Sequence, residues 1–410
     1  MDFKDTPAEA EFRTRVNKWL RSVAKPKRRN ASAHARAEID ATTIAAAKAF
    51  QRKKAQAGFA AITWPKEVGG MGGTPIQQVI YNQEEEKFEV PPASGTFAIT
   101  FGMCMPTMLA YATDEQKAYH VPRALRGEHI WCQLFSEPSA GSDLAGLRTR
   151  SERDGDDWVI NGQKIWTSGA QFSDYAILVT RSDPTVPKHK GLTYFFLDMK
   201  SPGVEVRPIK QISGASHFNE VYFTDVRIPD SQRLGAVGDG WRVALTTLMN
   251  ERLSIGSSIY GVYLDEFVQM AKALTIDGTP AIEHPVVRDR LAGYYVQTQG
   301  IRYTMYRTLT ALSKGQEPGP ESSIGKAVTA PMSQDMAAFA MDMQGMAGSL
   351  LGADQPQFAG LFQHAWLEAP GMRVAGGTDE IMLNIVAERV LGLPADVRVD
   401  KDIPFNQLGK

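Results

Sequence analysis

The sequence predicts an α+β multidomain protein in the order helices, small β domain, helical bundle. Three observations carry that expectation. The pattern is helical from about residue 8 to 128, becomes strand-like from roughly 131 to 230, and returns to a helical period after Gly238-Asp239-Gly240. A chain of 410 residues also exceeds one ordinary core and calls for two or three packed units. The breaks in texture divide it into an N-terminal helical domain (1–129), a middle β domain (130–236) and a C-terminal bundle (237–410).

The opening helix announces itself: Thr6 can cap it, Pro7 suits its first turn, and Glu9 completes a capping box. The N-terminal helical pattern is broken by a Gly/Pro loop, Trp64-Pro65-Lys66-Glu67-Val68-Gly69-Gly70-Met71-Gly72-Gly73. In the β region, Trp158-Val159-Ile160 and Lys164-Ile165-Trp166 flank Asn161-Gly162, a pair expected to make a tight hairpin turn. Tyr175 to Thr180 and Leu192 to Met199 are rich in β-formers. Ser201-Pro202-Gly203 marks the next reversal, and Val221, Phe223 and Val226 continue the series. After Gly240 the helical period is expected to hold to the end of the chain. Thr378 can cap the last helix, Asp379 and Glu380 suit its positive end, and Gly392 with Pro394 stops it.

Composition narrows the function. The apolar fraction of 43% and charged fraction of 22% are those of a globular protein. A net charge of −1 with interspersed signs gives no footprint for nucleic acid or for a polybasic membrane contact. No apolar run is long enough to insert across a bilayer. Two cysteines, Cys104 and Cys132, are too few for a disulfide framework or a zinc site, so no metal centre is expected. The acidic N-terminus lacks an apolar signal core, and a cytoplasmic bacterial enzyme is the expectation.

Four segments can carry chemistry. On the helix from Trp241, Ala244, Leu248, Ile255, Ile259 and Val262 fall on one side, and Arg242, Thr246, Asn250, Ser254 and Ser257 on the other. Glu251 lies at the edge of the apolar stripe, where its charged form is disfavoured and its pKa moves toward that of a general base. Arg252 projects within the stripe and needs an anion. Taken alone, both read as members of ion pairs. Phe135-Ser136-Glu137-Pro138-Ser139-Ala140-Gly141-Ser142-Asp143 can offer N–H and hydroxyl donors, or be a plain turn. Trp166-Thr167-Ser168 puts an indole beside two hydroxyls, suited to ring stacking or to a core. Ala375-Gly376-Gly377-Thr378 enters a helix N-terminus able to approach an anion, a common arrangement.

In order, these segments resemble the acyl-CoA dehydrogenase family. The resemblance extends over nearly the whole chain. It runs through the Pro-Lys-Glu-Val-Gly-Gly-Met-Gly-Gly loop, Asp114-Glu115-Gln116-Lys117, Gly127-Glu128, Ser136 to Asp143 and Asn161 to Ser168. It continues through Phe218-Asn219-Glu220-Val221, Glu251-Arg252-Leu253, Gly377-Thr378-Asp379-Glu380-Ile381 and Ala387-Glu388-Arg389-Val390-Leu391-Gly392. The resemblance implies an α-helical N-terminal domain, a β-barrel-like middle domain and a four-helix-bundle C-terminal domain. It implies FAD as cofactor, with Phe135 and Ser136 against the flavin ring, Trp166 and Ser168 near its other side, and Ser142 serving the FAD pyrophosphate or the CoA. Gln344, Gly348, Thr378 and Glu380 would border the adenosine half, partly across a subunit interface. Arg252 would meet the CoA, and Gly377 would lie at the pocket floor.

Two departures from the family pattern stand out. Many members carry the catalytic glutamate just before the Gly-Thr that opens the final helix, and here that position is Gly376. The long-chain and isovaleryl types carry the base within a Glu-Arg-Leu on the first C-terminal helix, which Glu251-Arg252-Leu253 matches; Gly376 keeps a backbone N–H for the thioester carbonyl. Second, many members place an arginine before a Phe-Gly to reach the neighbour's FAD, whereas Leu274-Thr275-Ile276-Asp277-Gly278-Thr279 has none.

The resemblance thus implies α,β-dehydrogenation of an acyl-CoA to the trans-2-enoyl-CoA, with electrons passed to an electron-transferring flavoprotein. Its alternatives are an oxygen-using flavoenzyme of the same fold (acyl-CoA oxidase or flavin monooxygenase) and a subunit of a mixed tetramer. A homotetramer is the expected assembly. The small residues Ala375-Gly376-Gly377 leave room for a long, branched or cyclic acyl group.

Overall fold

The computed structural model describes residues 5–27, 39–91, 96–256, 264–314, 316, 319–320, 322–350 and 358–408. They fall into two compact units. Of the described residues, the first unit takes those to Pro26, those from 39 to Glu251 and the tail from Asp396; the second takes Lys27 and those from Arg252 to Ala395.

The first unit begins with α1 (Pro7–Val23), α2 (Ala41–Gln56), α3 (Pro75–Glu85), α4 (Thr96–Ile99), α5 (Met105–Tyr111) and α6 (Asp114–Leu125), with a π-helical stretch Thr100–Cys104 joining α4 to α5. The capping box at Thr6 and Glu9 forms as expected. Short strands β1 (Lys25–Pro26) and β2 (Phe88–Glu89) pair antiparallel. Phe12, Val16 and Leu20 on α1 close over Phe59, Ile80, Tyr81 and Phe88.

The sheet of this unit has seven strands: β3 (Trp131–Leu134), β4 (Arg150–Asp154), β5 (Asp157–Ser168), β6 (Tyr175–Arg181), β7 (Leu192–Asp198), β8 (Val204–Ile209) and β9 (Phe218–Pro229). Their order is β3-β6-β4-β5-β9-β8, with β7 paired to β6. Alternation sends Ile177, Val179, Tyr194 and Phe196 into one core with α5, α6 and Val243 and Ala244 of α7 (Gly240–Gly256). Ala176, Leu178, Phe195 and Leu197 enter a second core with Trp158, Ile160 and Val221. Strands buried on both faces read as continuous apolar runs, as β6 and β7 do.

Two expectations are corrected. Asn161-Gly162 is not a hairpin turn: it lies inside β5, at a register shift against β9. The hairpin forms upstream, where Asp154 pairs with Asp157 around Gly155 (φ +63°). Gly162 (φ +151°) is needed for a different reason, since a Cβ there would come within 2.6 Å of Thr149. Asn161 and Asp225 exchange hydrogen bonds of 2.9 and 3.0 Å, and Asp225 has φ +51°. The Asn-Gly pair therefore makes a strand irregularity. Second, the helical period does not hold to the end. From Asp396 the chain is irregular apart from one 3-10 turn, Phe405–Gln407, and packs within the first unit.

The second unit is helical: α8 (Leu264–Ala273), α9 (Pro285–Ser313), α10 (Ser322–Met343), α11 (Leu361–Val374) and α12 (Asp379–Ile385). Phe267, Met270, Tyr294, Met332, Met336 and Phe362 form its core. Strands β10 (Thr275–Ile276) and β11 (Thr279–Pro280) pair around Asp277 (φ +49°) and Gly278 (φ +81°), a primed turn that Asp-Gly favours. Among the described residues, no helix is long and apolar enough to cross a membrane.

Candidate active site

Strand β3 delivers Phe135 into the core, edge-on to Tyr194 at 5.9 Å, and leaves Ser136 half-buried. The following loop folds on itself: Glu137 and Ala140 exchange backbone hydrogen bonds of 2.9 and 3.0 Å. This leaves Gly141, Ser142 and Asp143 exposed.

Beneath the loop lies a buried ion pair that sequence reasoning passed over. The Lys164 Nζ donates to Glu137 Oε1 at 2.9 Å and to the Phe135 carbonyl at 2.9 Å. The Glu137 carboxylate also accepts from the Arg148 and Thr149 amides, at 2.6 and 2.9 Å. Burial alone would raise the Glu137 carboxyl; the Lys164 charge and these hydrogen bonds hold it below the ordinary value. Burial in turn pulls the Lys164 ammonium down, opposed by Glu137. One signal was available: Lys164 occupies an inward position of β5, and such a lysine requires an anion.

The same lysine ties two candidate segments together. The Ile165 amide donates to the Ser136 carbonyl at 2.9 Å, so Phe135-Ser136 and Trp166-Thr167-Ser168 are neighbours. Between Lys164 and Thr167 the ladder shifts register, and Trp166 adopts φ +61°. For a bulky residue this costs about 1–3 kcal/mol and tends to occur at functional positions. The indole is edge-on to Phe218 at 6.0 Å and remains 55% exposed. Thr167 Oγ1 is buried with no partner, and Ser168 is half-buried. A bare aromatic face beside donor groups fits a planar heteroaromatic ring.

The remaining candidates belong to the second unit or to the end of α7. Glu251 and Arg252 are in the last turns of α7, and their side chains lie outside the described residues, as do Ile259 and Val262. Gly376 has φ +64° and Gly377 φ +97°. A side chain at 376 would have to adopt the left-handed conformation, so the backbone here favours glycine. Lys326 on α10 donates to the Gly377 carbonyl. Thr378 caps α12, accepting from the Ile381 amide at 3.2 Å, and Glu380 is exposed. Arg373 holds Asp379 at 2.6 Å. Gln344 precedes the 3-10 turn Gly345–Ser349 and accepts from Gln363 at 3.3 Å. Gly348, buried in that turn, passes so close to Met341 that a Cβ would fall 2.3 Å from its carbonyl oxygen.

Comparison with known proteins follows this layout. The models of the acyl-CoA dehydrogenase N-terminal, middle and C-terminal domains match residues 6–128, 132–226 and 238–391. The acyl-CoA dehydrogenase FadE34 of Mycobacterium tuberculosis is 36% identical over 366 residues, 88% of this chain but 48% of that protein. The chain thus spans about half the length of that relative. IpdE1 of Mycolicibacterium smegmatis, also an acyl-CoA dehydrogenase, is 36% identical over 364 residues, 86% of this chain and 89% of its own. Among solved structures, the ChsE4-ChsE5 complex from Mycobacterium tuberculosis superposes with a TM-score of 0.79 at 28% identity, covering 97% of this chain and 100% of that one. The Tcur3481-Tcur3483 steroid acyl-CoA dehydrogenase gives 0.78 at 26%, with the same coverage.

Proposed function

Because the chain belongs to the acyl-CoA dehydrogenase family and is an oxidoreductase, we propose that it converts an acyl-CoA to the trans-2-enoyl-CoA and delivers the electrons to an electron-transferring flavoprotein. The family depends on FAD. The observation that carries the reading is the joining of Ser136 to the strained, exposed Trp166 across the Ile165–Ser136 hydrogen bond. Phe135, Ser136, Trp166 and Ser168 would hold the flavin ring, Ser142 a phosphate, and Gln344, Gly348, Thr378 and Glu380 the adenosine half.

Bound there, FAD would supply an acceptor for the β-hydrogen and its electron pair. The chain's own part is the proton. Glu251 takes it from the α-carbon, which is too weak an acid for an unaided carboxylate. The Gly376 N–H donates to the thioester carbonyl, where negative charge develops, and lowers that barrier. Arg252 pairs with a CoA anion. Exclusion of water strengthens both electrostatic contacts.

For the substrate we propose a CoA thioester with a bulky, ring-bearing acyl group. Two glycines at 376 and 377 remove side chains from the pocket floor, and one structural neighbour is described as a steroid acyl-CoA dehydrogenase. Glu251→Gln tests the mechanism: binding of flavin and thioester should persist while turnover falls by orders of magnitude. Retention of more than about a tenth of the activity, a barrier change under ~1.4 kcal/mol, rejects Glu251 as the base.

A second reading concerns assembly. The Asp277-Gly278 hairpin lacks the arginine many members send to the neighbouring FAD, and the ChsE4-ChsE5 neighbour is a complex of two chains. A mixed tetramer would supply that arginine from a homologous partner. A missing charge-assisted contact costs about 1.5–3 kcal/mol, which a large cofactor interface can absorb, and this favours the homotetramer. Expression of the chain alone decides: a flavin-loaded tetramer rejects the partner, and a soluble apoprotein that loads only with a homologue rejects the homotetramer.

A further inference from the structure

The segment Asp396–Leu408 follows the last residue matched by the family's C-terminal domain, at 391, and returns to the first unit. It lies along the strand-connecting loop that precedes β7. Pro404 bridges Pro187, the Phe405 amide donates to the Val186 carbonyl at 3.0 Å, and the Asn406 amide to the Pro184 carbonyl at 2.9 Å.

Two buried cations lie between this tail and the Ser136–Leu147 loop. The Lys188 Nζ donates to both oxygens of Asp143, at 2.9 and 2.8 Å, and to Asp400 of the tail. Burial disfavours its charge, but the two carboxylates hold the ammonium above its ordinary value. The Arg181 guanidinium is buried and makes no ion pair among the described residues. It donates to the carbonyls of Lys188, Ala145 and Leu147, and its Nε has no partner. The ring of Phe405 covers it, with the guanidinium carbon 3.8 Å from the ring centroid. Burial lowers this arginine to about 10, the opposing charges of Glu137, Asp143 and Asp183 notwithstanding. A desolvated cation held only by carbonyl dipoles gains from a ring quadrupole.

Each cation thus touches the tail on one side and the exposed loop on the other. We propose that Asp396–Leu408 is a strap that holds the Ser136–Leu147 loop in the shape that receives a phosphate-bearing ligand, with Lys188 and Arg181 as the positioning residues through which it acts. Lys188 has an electrostatic task as well: it neutralises Asp143, next to Ser142, where an uncompensated carboxylate would repel an anion. The proposal rests on the dehydrogenase reading for the ligand's identity, FAD pyrophosphate or CoA phosphate, and not for the strap itself.

The test uses Phe405→Ala and Asp400→Asn in the full chain, with Phe405→Tyr as the conservative control. Amide exchange at Ala140, Leu147 and Thr149 reads the loop. Titrations of the flavin-stripped protein with FAD, and of the flavin-loaded protein with octanoyl-CoA, read its function. In Phe405→Ala, loop exchange should accelerate about tenfold while core amides of β6 and β7 do not change. One of the two dissociation constants should rise about tenfold, ~1.4 kcal/mol, and Phe405→Tyr should restore it. A rise for FAD alone assigns the loop to the pyrophosphate, and a rise for octanoyl-CoA alone assigns it to the CoA. Unchanged loop exchange overturns the strap, and faster exchange with both constants unchanged overturns its role in binding. A wild-type chain that binds neither ligand, alone or together with a homologous partner chain, would reject the dehydrogenase reading, and loop exchange would then judge the strap by itself.

Discussion

The loop after β3 and the turn before α12 are both candidates for gripping ligand, yet they are built by opposite means. The first rests on buried charge: Lys164, Lys188 and Arg181 donate from below to its carbonyls and to the carboxylates of Glu137 and Asp143. The second rests mainly on backbone conformation: two left-handed glycines and a threonine cap, with one ion pair, Arg373–Asp379, in which the arginine is partly exposed and the aspartate buried. Buried charge gives rigidity at a high cost of failure, because removing one partner strands the other. Glycine geometry leaves N–H groups accessible at lower energetic risk, because a left-handed glycine needs no buried partner to hold its conformation.

The largest expected effect follows from that contrast. Lys164→Met should leave the Glu137 carboxylate buried without its cation and destabilise the first unit by about 3–5 kcal/mol. Denaturant unfolding followed by Trp158 and Trp131 fluorescence would measure it. A loss below about 1 kcal/mol would mean that the Arg148 and Thr149 amides satisfy Glu137 unaided, and the contrast between the two regions would collapse.

The next effect sharpens what burial does in the first unit. His120 is buried among Tyr119, His129, Trp131, Tyr175 and Phe196, with Nδ1 unpartnered. Burial, helped by the charges of His129 and Arg123, lowers it to about 4. The unfolded chain, at about 6.5, therefore binds the proton more readily than the folded one between pH 6.5 and 4. Stability from this group is fully present above pH 6.5 and lost as pH falls toward 4, on the order of 2–3 kcal/mol. His120→Phe should flatten the dependence of the melting temperature on pH across that window. An unchanged slope would assign the acid sensitivity elsewhere, His129 being next in line because burial lowers it too.

How much of this was legible in the sequence depends on whether a residue's task is local. The caps at Thr6 and Thr378 were readable, because a cap is decided within four residues. The Asn161-Gly162 pair misled, because its glycine answers to Thr149 across the sheet and its asparagine to Asp225, 64 positions away. The return of the tail was invisible for the same reason: Phe405 is placed by Arg181, and no local period encodes that pairing. The candidate segments around Ser136, Trp166 and Gly376 were legible in the sequence, whereas the buried charges beneath the Ser136 loop had to be found in three dimensions. Lys164 alone carried a local hint, as a cation on the inward face of a strand.

The smallest effect tests the glycine-built region on its own terms. Thr378 contributes one hydroxyl to α12, accepting from the Ile381 amide, and Ile381 cannot return a bond to the cap as Glu9 does at Thr6. Thr378→Ala should therefore cost only about 1 kcal/mol, and the cost should appear in the second unit alone. Exchange of the Ile381 and Met382 amides should quicken about fivefold, which is ~1 kcal/mol, with β6 and β7 unaffected. Because the Lys326 bond to the Gly377 carbonyl and the Arg373–Asp379 pair remain in the variant, the turn should keep its shape. A larger loss, above about 2 kcal/mol, would show that the cap holds the turn together in the way Lys164 holds the loop, and the two regions would then share one principle of construction. No loss at all would leave the two glycines and the Lys326 contact as sufficient for the turn. The backbone N–H of Gly376 would then owe its placement to conformation alone, a cheaper way to aim a hydrogen-bond donor than a buried ion pair.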